Sequence, residues 1–237
     1  MRLLITRPEP DAGRTAAALR ARGHEVRIAP LLTIEPIRDA DLGAPAGHAV
    51  VVTSANAARA IAAHPRLAEL RTLPVLAVGR HTAEAAREAG FADVASADGD
   101  AEDVARLAVG RFPRNAVLVH LTGRDRAGDL AEALARRSIE LRVVEIYRAR
   151  AIERLPAPIA AALAAGEIDG VLHFSRRSAE TYLGCASREH IAEAALRLTH
   201  FCISAQAAEP LARAGAAKLL IAPQPQEEAL LALVGAG

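Results

Sequence analysis

The sequence predicts an α/β protein of two similar lobes, each a parallel sheet flanked by helices. Short apolar runs with strand character alternate with helical patterns along the 237 residues. Residues 12–28 also align with residues 127–143 at a constant offset, so the chain contains an internal repeat. Two extended runs, 30–37 and 144–152, each follow one copy of that repeat. A parallel sheet of this length divides into two lobes more readily than it grows as one.

The first half of the chain contains five predicted strands, each a short apolar run closed by a turn signal. They cover residues 3–6, 26–28, 50–54, 75–78 and 91–95. Alanine and leucine at helical spacing predict the helices between them, over residues 11–22, 55–63 and 82–90 and from 100 to about 109. Glycines stop two of these helices, at Gly23 and Gly90.

The second half repeats the same alternation. Its predicted strands cover residues 116–120, 141–150, 170–175, 200–204 and 219–222. Helices are predicted between them and over residues 226–234 at the end. Two further matches support the repeat, because residues 52–54 align with 173–175 and residues 79–90 align with 204–215.

The positions of the two extended runs predict how the lobes are assembled. If both runs cross between lobes, the middle of the chain forms one lobe and the two chain ends together form the other. We therefore expect a discontinuous first lobe, a continuous second lobe and two linker strands. Their expected bounds are 1–31 plus 153–237 for the first lobe, 37–145 for the second, and 32–36 and 146–152 for the linkers.

Composition excludes several functional classes. A formal net charge of +1 argues against a nucleic-acid binder. No segment is long and apolar enough for a transmembrane span, so no membrane association is expected. Cys185 and Cys202 stand far apart in apolar surroundings, which is typical of structural thiols in a reducing compartment. These features predict a cytoplasmic protein, and nothing in the sequence demands more than a monomer.

The motifs of common catalytic and cofactor sites are missing. Gly79 lacks the further glycines of a dinucleotide-binding turn, and Gly123 and Gly128 are not followed by the lysine of a phosphate-binding loop. The eight histidines show no metal-ligand spacing, and no serine lies in a GxSxG turn. We expect neither a metal nor an organic cofactor.

Polar side chains instead collect where the predicted strands end. Ligands of parallel α/β sheets bind beyond the carboxyl ends of the strands, where helix N-termini favour anions. Hydroxyls, an amide and guanidiniums at these ends suit a ligand that bears several carboxylates. The candidates are Arg7, Ser54, Arg80, Thr82, Thr122, Arg124, Ser175, Arg176, Ser204 and Gln206. Ser54, Thr82 and Ser175 have a simpler interpretation as helix N-caps.

Six segments in order resemble the uroporphyrinogen-III synthase family over nearly the whole chain. They are residues 3–8 (LLITRP), 30–36 (PLLTIEP), 51–57 (VVTSANA), 77–83 (AVGRHTA), 143–148 (VVEIYR) and 166–175 (GEIDGVLHFS). The resemblance implies two α/β lobes joined by a two-stranded β-ladder, with the active site in the cleft between them. One departure stands at Ser204 and Ala207, where the family usually has a glycine and a threonine.

The resemblance also implies a reaction. The family cyclises hydroxymethylbilane, a linear tetrapyrrole with eight carboxylates, by loss of water and inversion of the last pyrrole ring, without a cofactor. Tyr147 matches the family's cleft tyrosine, and a phenol that is protonated at neutral pH can donate to the departing hydroxyl. A packing role for Tyr147 in the ladder is an equal alternative. Thr82 matches a cleft threonine of the family, and Ser54 and Ser175 match the family's serines that end paired strands.

A second hypothesis comes from a different functional class. The altered turn at residues 203–208 fits a non-catalytic, two-lobed binding protein for an anionic small molecule that has diverged from the enzyme. The presence of Tyr147 and Thr82 favours the synthase.

Overall fold

The computed structural model describes residues 1–43, 47–123 and 128–235. The strands are β1 (Arg2–Ile5), β2 (Glu25–Ile28), β3 (Leu32–Pro36), β4 (Ala49–Val52), β5 (Val75–Ala77), β6 (Val94–Ser96), β7 (Val117–Gly123), β8 (Glu140–Ala151), β9 (Gly170–His173), β10 (Thr199–Cys202) and β11 (Lys218–Ile221). The helices are α1 (Asp11–Arg20), α2 (Ala55–Ile61), α3 (Leu67–Leu70), α4 (Arg80–Glu88), α5 (Ala101–Arg111), α6 (Gly128–Ala135), α7 (Ala157–Ala164), α8 (Arg176–Arg188), α9 (Ala192–Leu196), α10 (Ala205–Arg213) and α11 (Glu227–Val234). The predicted mixed α/β class is confirmed.

The chain divides into two compact units. Unit 1 contains Met1–Thr33 and Arg150–Gly237, and unit 2 contains Ile34–Ala149. Unit 1 holds a five-stranded sheet in the order β11-β10-β9-β1-β2, and the second sheet has the order β3-β8-β7-β4-β5-β6. The chain thus passes between the units within β3 and again within β8.

The internal repeat extends to the register of the two sheets. Leu3 of β1 lies opposite Gly170 of β9, and the equivalent Leu118 of β7 lies opposite Ala49 of β4. The same offsets relate the pairings β1–β2 and β7–β8, β9–β10 and β4–β5, and β10–β11 and β5–β6. All these pairings are parallel. The two units are therefore structural copies with corresponding strands, as the sequence repeat predicts.

β3 and the end of β8 form the two-stranded ladder. The Ile37 N–H donates to the Ile146 carbonyl at 2.9 Å, and the Ile152 N–H donates to the Leu31 carbonyl at 3.0 Å. Ile37 thus pairs with Ile146, and the earlier residue Leu31 pairs with the later residue Ile152, so the two strands run antiparallel. β8 is a single 12-residue strand whose first part pairs with β7.

Each sheet is buried on both faces by helices, which explains why its strands read as short continuous apolar runs. In unit 2, α2 and α4 pack on one face beside Val50 and Val52, and α5 and α6 pack on the other beside Val51. In unit 1, α8 and α10 cover the Val171 face, and α1 and α11 cover the Leu172 face. Among the described residues, no helix has both the length and the apolar character that a bilayer crossing requires.

Candidate functional site

Four strand-to-helix turns occupy corresponding positions at the carboxyl edges of the two sheets. In unit 2 they join β4 to α2 and β5 to α4, and in unit 1 they join β9 to α8 and β10 to α10. At each turn the first residues of the helix present N–H groups that lack a partner within the helix. Each edge therefore carries two turns suited to an anion.

Serine side chains cap three of these four helices. The Ser54 hydroxyl accepts from the Asn56 N–H at 3.2 Å, and the Ser175 hydroxyl accepts from the Ser178 N–H at 3.1 Å. The Ser204 hydroxyl accepts from the Ala207 N–H at 3.3 Å. The predicted capping by Ser54 and Ser175 is confirmed. At each of these turns one N–H donor of the first turn is already engaged by the protein.

The Gly79 turn differs from the other three because no side chain caps its helix. Gly79 is the N-cap of α4 in extended backbone, with φ −155° and ψ 170°. The predicted cap at Thr82 is wrong, since the helix begins at Arg80 and Thr82 lies within its first turn, 7% exposed. The Arg80 guanidinium is exposed, and its Nε lies 3.8 Å from a carboxylate oxygen of Asp98. This turn combines uncapped N–H donors with a neighbouring cation.

A buried histidine contacts the residue that precedes the Ser54 turn. His120 of β7 is fully buried, and its Nε2 lies 3.0 Å from the hydroxyl of Thr53, the residue before Ser54. Burial lowers the pKa of His120 to about 4, so the ring is neutral at physiological pH. Its Nδ1 has no hydrogen-bond partner in the described part of the chain.

Tyr147 lies in β8 and packs in the core on the face of the unit 2 sheet that α2 and α4 cover. The residue is 5% exposed and packs in the core that also contains Val52 and Leu121. It lies opposite Gly123, the last residue of β7. The neighbouring Thr122 is buried, and its hydroxyl donates to the Gly123 carbonyl at 3.1 Å. The phenol and the Thr122 hydroxyl thus share the carboxyl end of β7.

In unit 1 the Arg7 guanidinium is engaged by the protein itself. It contacts the Asp11 carboxylate at 3.2 Å and the Glu227 carboxylate at 3.1 Å, and it donates to the Thr15 hydroxyl at 3.2 Å. Its Cζ lies 4.2 Å from the centre of the Phe174 ring. These contacts join β1 to α1 and α11, which gives Arg7 a structural role in this arrangement.

Two further candidates of unit 1, Arg176 and Gln206, lie in the first turns of the capped helices α8 and α10. Arg176 forms ion pairs with Glu180 at 2.9 Å and Glu209 at 2.7 Å, whereas Gln206 is exposed in the first turn of α10. The Ser175 and Ser178 hydroxyls lie 2.6 Å apart. Arg124, the last candidate, lies outside the described residues. Within the described ranges, no three His, Cys, Asp or Glu side chains group as ligands for a metal ion.

The family model described as Uroporphyrinogen-III synthase HemD matches residues 13–232 of the chain. The chain belongs to this family. The uroporphyrinogen-III synthetase of Helicobacter pylori is 18% identical with a TM-score of 0.64, and the match covers 99% of this chain and 98% of that one. A mutant uroporphyrinogen III synthase of Thermus thermophilus is also 18% identical, with a TM-score of 0.54 and coverage of 99% and 97%. These structures share the fold, and no curated protein matches significantly.

Two features of these sheet edges differ from the sequence-based expectations or were not among them. The sequence predicts N–H donors for an anion at the turn after Gly79, but it starts the helix at Thr82, whereas the helix begins at Arg80. The contact between Gly123 and Tyr147 depends on an irregularity in strand pairing. A glycine that ends a long apolar strand was the available signal for that contact, because glycine in a strand often marks a bulge or a close approach.

Proposed function

We propose that the protein is a uroporphyrinogen-III synthase, a lyase that cyclises hydroxymethylbilane with inversion of the last ring. The family match over residues 13–232 carries the proposal. The strand-to-helix turns and their guanidiniums support it, since they suit a substrate with eight carboxylates and require no cofactor.

Carboxylate binding would be strongest at the Gly79 turn. The first-turn N–H groups of α4 lack a side-chain acceptor, and the exposed Arg80 adds a cation beside them. At Ser54, Ser175 and Ser204 one donor is already occupied, although the other first-turn donors and the hydroxyls remain suitable for polar contacts. In this proposal Thr122, Arg124, Arg176 and Gln206 assist binding, and Arg7 mainly orders its own turn.

The chemical step requires little from the protein beyond one proton and a fixed geometry. The pyrrole nitrogen lone pair expels the terminal hydroxyl, the C–O bond breaks, and Tyr147 gives the proton that lets water leave. The substituted carbon of the last ring then attacks this electrophile and gives a spiro intermediate. The older bond from that carbon to the neighbouring methylene bridge breaks, and the methylene carbon forms a new bond to the free α-carbon of the same ring, which inverts the ring. The proton lost by the closing pyrrole returns to the phenolate. Held geometry directs attack to the substituted carbon, because unassisted closure gives the I isomer.

A coupled assay tests the proposal directly. Freshly generated hydroxymethylbilane is supplied to the purified protein without added cofactor, and the oxidised products are separated into I and III isomers. We expect predominantly the III isomer, in an amount that scales with the protein. Formation of only the I isomer, at the rate seen without protein, would contradict the proposal.

A non-catalytic binding protein for an anionic small molecule is the second candidate. The β10–α10 turn favours it, because Ser204 caps the helix through the Ala207 N–H and Ala207 is fully buried. A family threonine hydroxyl is therefore missing at this turn. Saturable binding of the bilane without formation of the III isomer would support this candidate.

A further inference from the structure

Strand β8 gains one residue relative to β7 immediately before Tyr147. Thr122 lies opposite Glu145, whereas the next residue, Gly123, lies opposite Tyr147. Ile146 is therefore the extra residue of a β-bulge. Neighbouring residues of a regular strand point to opposite faces, yet Ile146 and Tyr147 are both buried in the same core. The bulge turns the Tyr147 ring toward Gly123.

The Tyr147 phenol occupies the space that a side chain at position 123 would need. A Cβ at Gly123 would lie 2.7 Å from Cζ, 2.8 Å from Cε2 and 3.0 Å from the hydroxyl oxygen of Tyr147. Carbon atoms in contact normally stand about 3.5–4.0 Å apart. The colliding atoms form the tip of the tyrosine side chain, so a methyl group at position 123 would displace the phenol before anything else.

The backbone beside this space is paired on one side. Gly123 pairs with Tyr147 of β8, whereas the pairing of β7 with β4 ends at Leu121. The Thr122 hydroxyl also donates to the Gly123 carbonyl. Gly123 also ends β7, at the edge of the sheet where ligands of parallel α/β folds bind.

We propose that Gly123 is a positioning residue, whose missing side chain seats the Tyr147 phenol at the carboxyl end of β7. This inference rests on the proposed function, in which Tyr147 donates the proton. Gly123 itself touches neither substrate nor proton. Its effect is to set the position of the phenol oxygen of Tyr147. A shift of about 1 Å in a reacting group is enough to lower the rate by up to about 100-fold.

The test compares Gly123→Ala with the matched control Gly110→Ala. Gly110 is exposed in α5, and a Cβ there would meet nothing within 4 Å. The chain has only two tyrosines, so a carbon-13 label at tyrosine Cζ gives two NMR signals, which Tyr147→Phe assigns. We expect Gly123→Ala to shift the Tyr147 signal and leave the Tyr182 signal in place, and Gly110→Ala to shift neither.

Kinetics then show whether the displaced phenol matters. Gly123→Ala should lower kcat at least about 10-fold with little change in KM, whereas the same substitution in a Tyr147→Phe background should change kcat less than about twofold. An unshifted Tyr147 signal, or an equal loss of kcat in both backgrounds, would overturn the proposal. If wild-type protein forms only the I isomer, the proposed function fails separately, and the NMR comparison alone decides whether Gly123 seats the phenol.

If Gly123→Ala does not fold, a second substitution shows whether the collision with Tyr147 is the cause. Leucine at position 147 ends short of the colliding atoms, so Gly123→Ala combined with Tyr147→Leu should regain the cooperative unfolding transition. Failure of that double variant to fold, while Tyr147→Leu alone folds, would place the fault in the backbone of Gly123 and overturn the proposal.

Discussion

At Tyr147 the proposed chemistry depends on one oxygen atom. Tyr147→Phe keeps the ring in its place beside Gly123 and removes only the proton donor. We expect kcat for the III isomer to fall about 100-fold, which is the lower range for loss of a general acid. Stopped assays with chromatographic separation of the isomers measure this change. Undiminished kcat in the phenylalanine variant would assign Tyr147 to packing alone.

For Arg7, in contrast to Tyr147, we expect a substitution to lower the stability of the fold and not the rate of the reaction. The guanidinium is 14% exposed and neutralises Asp11 and Glu227, which are 10% and 17% exposed. Arg7→Met should lower the free energy of unfolding by about 2 kcal/mol, because Asp11 and Glu227 each lose one charged partner while Glu227 keeps its ion pair with Arg14. Urea unfolding measures this loss. A normal unfolding curve together with a raised KM would instead make Arg7 a substrate ligand.

Among the elements, helix α4 permits a substitution that separates capping from ligand binding. A Cβ at Gly79 meets nothing within 4 Å and its backbone is extended, so Gly79→Ser fits. The new hydroxyl would accept from a first-turn N–H, as Ser204 does at the corresponding turn of unit 1. We expect KM for the bilane to rise about 3- to 10-fold, the loss of about one hydrogen bond.

Gly79→Ala is the control for that substitution, since it adds a Cβ without an acceptor. Its KM should stay near the wild-type value. Equal KM values for the serine and alanine variants would show that the first-turn N–H groups of α4 do not bind the substrate.

These turns also show where local sequence suffices and where it fails. Serine directly after an apolar strand predicts the caps at Ser54 and Ser175 correctly, because a cap depends only on residues within one helical turn. Thr82 also carries a hydroxyl but lies three positions beyond Gly79, which is the N-cap of the helix. Glycine in extended backbone leaves no side-chain signal for its role as the N-cap.

Across the whole molecule, three buried histidines predict a loss of stability in mild acid. Burial lowers the pKa of His120 and of His200 to about 4, and burial together with the neighbouring His200 lowers the pKa of His173 well below its ordinary value. His173 Nε2 and His200 Nδ1 lie 3.1 Å apart beside the Tyr182 ring. The unfolded chain protonates these rings below about pH 6.5, whereas in the folded chain the pKa values of His120 and His200 near 4 keep both rings neutral until about pH 4.

The stabilisation from neutral histidines is therefore fully present above about pH 6.5 and is lost as the pH drops toward 4, by about 2 kcal/mol each for His120 and His200 between pH 7 and 5. Urea unfolding at a series of pH values measures this slope. His120→Gln should reduce the slope for unit 2, since it removes one titrating group. A pH dependence unchanged by that substitution would contradict the assignment to His120.

At this scale the duplication was the most informative property of the sequence. Matching segments such as 52–54 and 173–175 predicted two related α/β halves, and the offsets hold in the strand registers. Long-range pairings had no such signal. Arg7 forms an ion pair with Glu227, more than 200 residues later in the chain. The bulge at Ile146 interrupts the in-out alternation of side chains along β8, so this alternation would have placed Tyr147 on the wrong face of the sheet.

The split of unit 1 into two chain segments has a consequence for synthesis on the ribosome. Unit 2 is one uninterrupted stretch and is complete once residue 149 has emerged. β1 and β2 are made before unit 2, but β1 lies between β2 and β9, and β9 is translated only after all of unit 2. The β9 side of β1 therefore has no partner while more than a hundred residues of unit 2 are synthesised. We therefore expect unit 2 to complete its fold before unit 1 during synthesis.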